Sequence, residues 1–152
     1  MVYVKRTPLL EIEADIIVCP VSKDGVLNYG LTKDVFYKYP DLFPKYENMC
    51  QQKKNVVFEY DTSAEQRICL FTIKNMAREH ADIGCIAESL NEFIKYKMPK
   101  NTTIAFPELG YHEVDKTEVE QLVYQYLDGI PQKVYFTKNQ GDRKTDTKKR
   151  KE

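Results

Sequence analysis

The sequence has no tryptophan, only two histidines, and four cysteines that stand far apart. No C-x-x-C pair occurs among them, whereas zinc sites usually draw ligands from closely spaced cysteines and histidines, so we expect no metal site. Cys19 and Cys69 lie in apolar runs, where a free thiol acts as a small buried hydrophobe. We interpret all four cysteines as reduced and structural. They are Cys19, Cys50, Cys69 and Cys85.

Long hydrophobic runs are also missing. Nothing near the N-terminus has the pattern of a signal peptide, and no segment reaches the roughly 20 apolar residues of a membrane helix. The 23 basic and 23 acidic residues cancel. Residues 143–152 hold six basic and two acidic residues, so the rest of the chain is net acidic by four. We expect an intracellular protein, cytoplasmic or nuclear, whose body does not follow a nucleic-acid backbone.

Apolar patterning predicts one domain over residues 1–138 with alternating strands and helices. Ile16, Ile17, Val18 and Cys19 are apolar on both alternating faces, as in a strand buried between two layers. The order of elements predicts an α/β fold, with three α/β/α layers around a mixed central sheet. Residues 139–152 are polar and charged, and we predict a disordered basic tail whose partner is unknown. Strands are predicted at 2–5, 16–19, 56–60, 68–72, 102–106 and 134–137, and helices at 31–39, 41–50, 81–97 and 119–127.

A glycine-bearing loop, residues 22–30, separates the buried strand from the helix that begins at Leu31. Gly25 and Gly30 permit positive φ and close approach of the backbone to a ligand. The following helix would direct unpaired N–H groups toward an anion. A second loop, residues 107–116, also follows a strand, and ligands of such sheets bind beyond the carboxyl ends of strands. Both loops are therefore candidate parts of a binding site.

Three segments resemble the macrodomain family, which binds ADP-ribose and often hydrolyses its derivatives. GVLNYGLT at residues 25–32, followed by Tyr39-Pro40, resembles the family's first phosphate loop and the end of its helix. IAFPELG at 104–110 resembles the strand that enters the second loop. LFTIK at 70–74 resembles a strand end in the small stand-alone branch that removes ADP-ribose from acylated carboxylates. The resemblance covers residues 2–137.

The resemblance implies a macrodomain-like fold, an ADP-ribose site and no cofactor. Lys74 matches the position of a catalytic nucleophile toward the ribose C1 atom, provided that the match does not fall on Ile73 instead. Asp115 is the candidate acid/base partner, with His112 and Glu113 as alternatives in the same loop. Asp115 is also a favoured helix N-cap, and Lys74 can equally be an ordinary solvated lysine. The implied ligand-binding residues are Ser22, Gly25, Val26, Leu27, Asn28, Tyr29, Gly30, Leu31, Pro107, Leu109, Gly110 and Tyr111.

The sequence departs from the family pattern at positions that bear on activity. The Gly-Asp pair whose aspartate holds adenine in family members is matched by Arg6 and Thr7, a ribose-facing asparagine by Ser22, and a loop glycine by Asn28. Two interpretations therefore stand. The first is an ADP-ribosyl hydrolase or ADP-ribose-phosphate phosphatase, acting on ADP-ribose or on ADP-ribosylated protein or nucleic acid. The second is a degenerate, non-catalytic macrodomain used for binding or protein interaction.

Overall fold

A computed structural model describes residues 2–27, 31–61, 66–109 and 116–137. Within these parts of the chain no helix is long and apolar enough to cross a membrane. Residues 138–152, which include the predicted tail at 139–152, lie outside the described residues. The strands are β1 (Val2–Lys5), β2 (Ile16–Ser22), β3 (Val56–Asp61), β4 (Gln66–Lys74), β5 (Thr103–Pro107) and β6 (Lys133–Thr137). The helices are α1 (Leu31–Lys38), α2 (Leu42–Gln51), α3 (Ile83–Phe93) and α4 (Lys116–Leu127), with a 3₁₀ turn at Leu9–Glu11.

The strands form one mixed sheet in the order β1-β6-β5-β2-β4-β3. All neighbours pair in parallel except β3, which is antiparallel to β4 at one edge. The carboxyl ends of β2, β4 and β5 therefore lie along the same side of the sheet. This arrangement confirms the predicted mixed α/β fold.

Helices cover both faces of the sheet, and β2 shows why its sequence is apolar throughout. Ile17 packs with side chains of α1 and α2, while Ile16 and Val18 pack with those of α3 and α4. All seven residues of β2 are buried, because alternate residues face opposite helical layers. The centre of the α3/α4 layer is aromatic, with Phe93 packed edge to face against Phe71 and Phe106.

The sheet opens between β2 and β5. These two strands pair only at Ile16 and Ile17, whereas β2 pairs with β4 along its full length. Pro20 lies in the part of β2 that does not pair with β5. Proline has no backbone N–H, so at this position it costs no hydrogen bond to β5. The chain leaves β2 toward β4 and leaves β5 toward β6, so their carboxyl ends mark a topological switch point, where open α/β sheets bind ligands.

Some element bounds differ from the predicted ones for local reasons. Helix α3 starts at Ile83 rather than residue 81, because the Asp82 carboxylate caps it by accepting a hydrogen bond from the Cys85 N–H at 3.0 Å. It ends at Phe93 instead of residue 97, since the chain then tightens into turns in which Tyr96 N–H donates to Phe93 O. Pro107 is the last residue of β5 and does not interrupt it.

Candidate functional site

A cavity of about 830 Å³ lies beyond the carboxyl ends of β2 and β4. We call it the first cavity. One wall belongs to the described part of the β2 loop, residues 23–27, and the opposite wall to the β4 loop, residues 75–82. Helix α1 contributes Lys33 and strand β4 contributes Lys74. The lining residues are Asp24, Val26, Leu27, Lys33, Lys74, Met76, Ala77, Arg78, Glu79 and His80.

A bulge at the end of β4 directs Lys74 toward this cavity. The pairing of β2 with β4 runs regularly to Val21 opposite Thr72, and then Ser22 faces Lys74, so Ile73 is the extra residue. Ile73 is buried in the apolar layer beside α3, whereas Lys74 lines the first cavity. Of the two residues that the sequence resemblance left open, only Lys74 reaches the cavity.

Lys74 is nearly enclosed, with 4% of its surface exposed. Its Nζ atom donates a hydrogen bond to the carbonyl oxygen of Glu79 at 2.9 Å. Burial lowers the pKa of the Lys74 ammonium, and the negative charges of Asp24 and Glu79 offset part of this effect. The arrangement favours a neutral amine more than an exposed lysine would.

Asp24 joins the two walls of the cavity. Its Oδ1 atom accepts hydrogen bonds from Ser22 Oγ at 2.6 Å and from the Val26 N–H at 3.2 Å. Its Oδ2 atom accepts from the N–H of Ala77 in the β4 loop at 3.0 Å. Partial burial raises the pKa of Asp24, but these hydrogen bonds outweigh it and the pKa is lowered. The charged carboxylate therefore holds the β2 and β4 loops at a fixed separation.

Side chains of helix α2 contact the end of β2, where the β2 loop begins. The buried Tyr46 hydroxyl donates to the Ser22 carbonyl oxygen at 2.8 Å and lies 3.1 Å from Ser22 Oγ. Burial raises the pKa of Tyr46 to about 12, so the hydroxyl stays protonated as a donor. Cys50 Sγ lies 3.8 Å from the same carbonyl oxygen. These contacts fix the end of β2, where the loop begins.

The β2 loop turns at Gly25, which has φ of +75°. This left-handed conformation is easy for glycine and strained for other residues, which confirms the predicted conformational role of Gly25. The turn brings Val26 and Leu27 into the cavity wall. Val26 is 54% exposed, so its side chain is open to solvent at this wall.

The charge of the first cavity is positive on balance. Lys33, Lys74 and Arg78 supply three cations, against the carboxylates of Asp24 and Glu79. Asp24 accepts three hydrogen bonds within the protein, so part of its capacity is already used. The surroundings suit an anionic ligand with some apolar surface.

Solved structures share this architecture, although no family model and no curated relative matches the sequence. The macrodomain of Thermus aquaticus DarG has a TM-score of 0.76 at 21% identity, over 91% of this chain and 99% of that one. The macrodomain of Mycobacterium tuberculosis DarG gives 0.77 at 23% identity, over 90% and 97%. Thermosipho africanus DarTG in complex with ADP-ribose gives 0.76 at 19% identity, over 89% of this chain and 41% of that chain.

The chain has a macrodomain fold. The resemblance found in the sequence is thereby confirmed at the level of the fold, together with the predicted three-layer architecture. At these identities the similarity concerns the fold alone, and a ligand for this chain has to follow from its own residues.

The structure brings four of the sequence-predicted site residues together. Val26, Leu27 and Lys74 line the first cavity, and Gly25 forms the turn of the β2 loop that brings Val26 and Leu27 there. Ser22 is adjacent but only 1% exposed, and its hydroxyl is occupied by Asp24 and Tyr46. A direct contact of Ser22 with a ligand stays a prediction.

Other predicted residues lie elsewhere in this protein or outside the described parts. Leu31 begins α1 and packs against the core rather than lining the first cavity. Pro107 and Leu109 are buried at the end of β5, on the other side of β2. Seven predicted residues lie outside the described residues: Asn28, Tyr29, Gly30, Gly110, Tyr111, His112 and Asp115. Their roles, and that of the alternative Glu113, remain predictions.

The sequence analysis overlooked the β4 loop as a wall of the site. Arg78, Glu79 and His80 lie in it, and Asp24 bridges to it. The β4 loop could have been predicted by the argument used for the other two loops. It too follows a strand, and ligands of such sheets bind beyond the carboxyl ends of strands. Lys33 was overlooked because a lysine on a short helix is ordinarily a solvated residue.

Proposed function

We propose that this macrodomain binds ADP-ribose or an ADP-ribose derivative in the first cavity, and that Lys74 hydrolyses the linkage between ADP-ribose and its acceptor. The observation that carries the proposal is the enclosed Lys74 in a cavity that also holds the cations of Lys33 and Arg78. The structural similarity to Thermosipho africanus DarTG in complex with ADP-ribose supports the choice of ligand.

The binding step uses features of the cavity that suit a diphosphate and a sugar. Lys33 and Arg78 offer cations for phosphate oxygens, and the turn at Gly25 lets the backbone approach the ligand closely. Val26 and Leu27 add apolar surface for the sugar ring. A volume of about 830 Å³ is within the range of small-molecule sites.

The catalytic step relies on a neutral amine at Lys74. Its lone pair would form a bond to the ribose C1 atom, while the bond from C1 to the acceptor breaks and the acceptor leaves with the electron pair. Water would then attack C1, release ADP-ribose and restore the amine. The lowered pKa of Lys74 increases the fraction of amine available for this attack. Asp115 or His112 remains the proposed proton donor or acceptor.

The alternative function is binding without turnover, and one contact favours it. Lys74 Nζ already donates to the Glu79 carbonyl oxygen, and such a contact can simply satisfy a buried ammonium. In this case the enclosed lysine would stabilise the β4 loop, and the cavity would serve as a reader of ADP-ribosylated partners.

A size-matched pair of variants at Val26, which differ only in charge, tests the binding proposal. Val26→Glu places a carboxylate at the cavity wall, whereas Val26→Gln adds a side chain of similar size without charge. In calorimetric titrations with ADP-ribose, we expect the glutamate variant to bind at least about tenfold more weakly than the glutamine variant. Equal affinities, or no heat with the folded wild type, would contradict the proposed ligand site.

A second assay tests catalysis separately. Release of ADP-ribose is measured from glutamate-, aspartate- or nucleic-acid-linked substrates with the wild type, Lys74→Gln and Lys33→Gln. We expect Lys74→Gln to lose turnover while Lys33→Gln loses affinity. A wild-type rate no higher than that of Lys74→Gln, with ADP-ribose binding intact, would leave the non-catalytic alternative.

A further inference from the structure

A second cavity of about 270 Å³ lies near the C-terminal end of α2. Lys23, the residue before Asp24, lines it, and helix α2 contributes Cys50. Among the described residues, the second cavity shares no lining residue with the first. The lining residues are Lys23, Cys50, Lys53, Lys54, Asn55 and Thr72.

Two of the lysines are held by the motif that ends α2. The Lys54 N–H donates to Met49 O and the Lys53 N–H donates to Cys50 O, both at 3.1 Å. Lys53 has φ of +56°, so it occupies the left-handed position of a Schellman motif, where glycine is the usual residue. The backbone therefore presents both lysines at one edge of the cavity.

The charge of the second cavity has one sign. Three lysines line it, and no carboxylate does so among the residues that the structure describes. Neither Lys53 nor Lys54 forms a side-chain hydrogen bond or ion pair with another described residue. Their ammonium groups are free to meet an anion.

Thr72 supplies an independent observation at the base of the cavity. It is 1% exposed, and its backbone is engaged, with N–H donating to Asn55 O at 2.9 Å and O accepting from Ser89 Oγ at 2.6 Å. Leu70 packs in the layer of α1 and α2, so alternation along β4 places the Thr72 side chain on the same face. Thr72 lines the second cavity, so its hydroxyl is placed to donate to a ligand there.

We propose that the second cavity binds a phosphate-type oxyanion, with Lys23, Lys53 and Lys54 around it and the Thr72 hydroxyl as a donor at its base. The volume of about 270 Å³ is at the lower limit of small-molecule sites, so it suits a phosphoryl group and not a whole nucleotide. This site is separate from the proposed ADP-ribose site, and neither depends on the other.

The experiment titrates inorganic phosphate into the protein in phosphate-free buffer and follows backbone amide shifts by NMR. The titration is run with and without excess ADP-ribose. We expect saturable shifts at residues 53–55 and 72 that persist when ADP-ribose is present. Shifts confined to residues 76–80, or no saturable shift, would overturn the proposal. If ADP-ribose does not bind, the proposed ADP-ribose site fails, but the phosphate titration still tests the second cavity.

Variants separate binding from structure. Lys53→Gln and Lys54→Gln are each expected to weaken phosphate binding about tenfold, while Lys100→Gln, in the loop before β5, leaves it unchanged. Thr72→Val should weaken binding and Thr72→Ser should retain it, since only serine keeps a hydroxyl. Lysines that merely balance the negative end of α2 would alter the melting temperature without changing phosphate affinity, and this outcome would overturn the proposal.

A second probe distinguishes a free phosphate ion from a phosphoryl group carried on a larger molecule. O-phosphoserine is titrated under the same conditions. Binding of both probes would indicate a phosphoryl group carried on a larger molecule, and binding of inorganic phosphate alone would indicate the free ion. Either result supports the site, and the absence of both would refute it.

Discussion

Replacing Asp24 with asparagine is expected to separate the two walls of the first cavity. The carboxylate accepts from Ser22 Oγ and the Val26 N–H through Oδ1, and from the Ala77 N–H through Oδ2. Asparagine keeps one carbonyl oxygen for the first two donors. Its amide nitrogen would face the Ala77 N–H as a second donor, so the connection to the β4 loop is lost.

The magnitude follows from these contacts. A hydrogen bond to a charged group contributes about 1.5–3 kcal/mol when shielded, and less where solvent screens the charge, as it does at exposed Asp24. Loss of the Ala77 bond together with the charge should lower the free energy of unfolding by about 1–2 kcal/mol. For a domain of this size the melting temperature should fall by about 2–8 °C.

The pH dependence has a defined sign. The pKa of Asp24 is lower in the folded protein than its ordinary value, so its contribution to stability is complete above that ordinary value. It is lost as pH falls through the lowered pKa. The difference in stability between wild type and Asp24→Asn should therefore be constant near neutral pH and shrink in acid.

Urea denaturation over a range of pH values, followed by circular dichroism, measures this difference. Glu47→Gln is the matched control, because Glu47 is an exposed mid-helix residue and the substitution removes the same charge. Equal stability of Asp24→Asn and Glu47→Gln would refute the reasoning. So would a stability difference that stays unchanged as the Asp24 carboxylate becomes protonated.

Three further substitutions probe the support of the site. Tyr46→Phe keeps the ring but removes the bond to Ser22 O, and should cost about 1–2 kcal/mol in the free energy of unfolding, measured by urea denaturation. Phe93→Ala, at a residue that is fully buried among aromatic rings, should cost about 3–5 kcal/mol in the same measurement. Lys53→Gly relieves a left-handed backbone and should increase stability by about 0.5–1 kcal/mol while it weakens phosphate binding. A Lys53→Gly variant that is less stable than wild type would contradict the assignment of strain.

Much of the fold could be predicted from local sequence. Apolar residues on both faces of residues 16–19 indicated a central strand, because only a strand covered on both sides tolerates them, and the observed strand extends to Ser22. Gly25 indicated the turn of the β2 loop, since its positive φ is a local property. Lys74 came from a resemblance at a strand end; it lines the first cavity, and its catalytic role stays a prediction.

The remainder of the site depends on contacts between distant segments. Asp24 and Ala77 are 53 residues apart, and nothing in either local sequence indicates that they meet. The bulge at Ile73 determines which residue faces the cavity. Its position could not be predicted, because one extra residue does not change the apolar pattern of the strand. The second cavity is likewise formed by residues 23, 50, 53–55 and 72, which come together only in the folded protein.

Nucleophilic attack by Lys74 and attraction of an anion by its charge require different protonation states, and the Asp24 carboxylate influences which state is favoured. Attack on a ribose carbon requires the neutral amine, which burial favours, whereas attraction of a phosphate requires the ammonium, which the Asp24 charge favours. Removing that charge must lower the Lys74 pKa further. If Lys74 is a nucleophile, the rise of turnover with pH should move to lower pH in Asp24→Asn. If Lys74 only binds an anion, the loss of ADP-ribose affinity at high pH should begin earlier in the same variant.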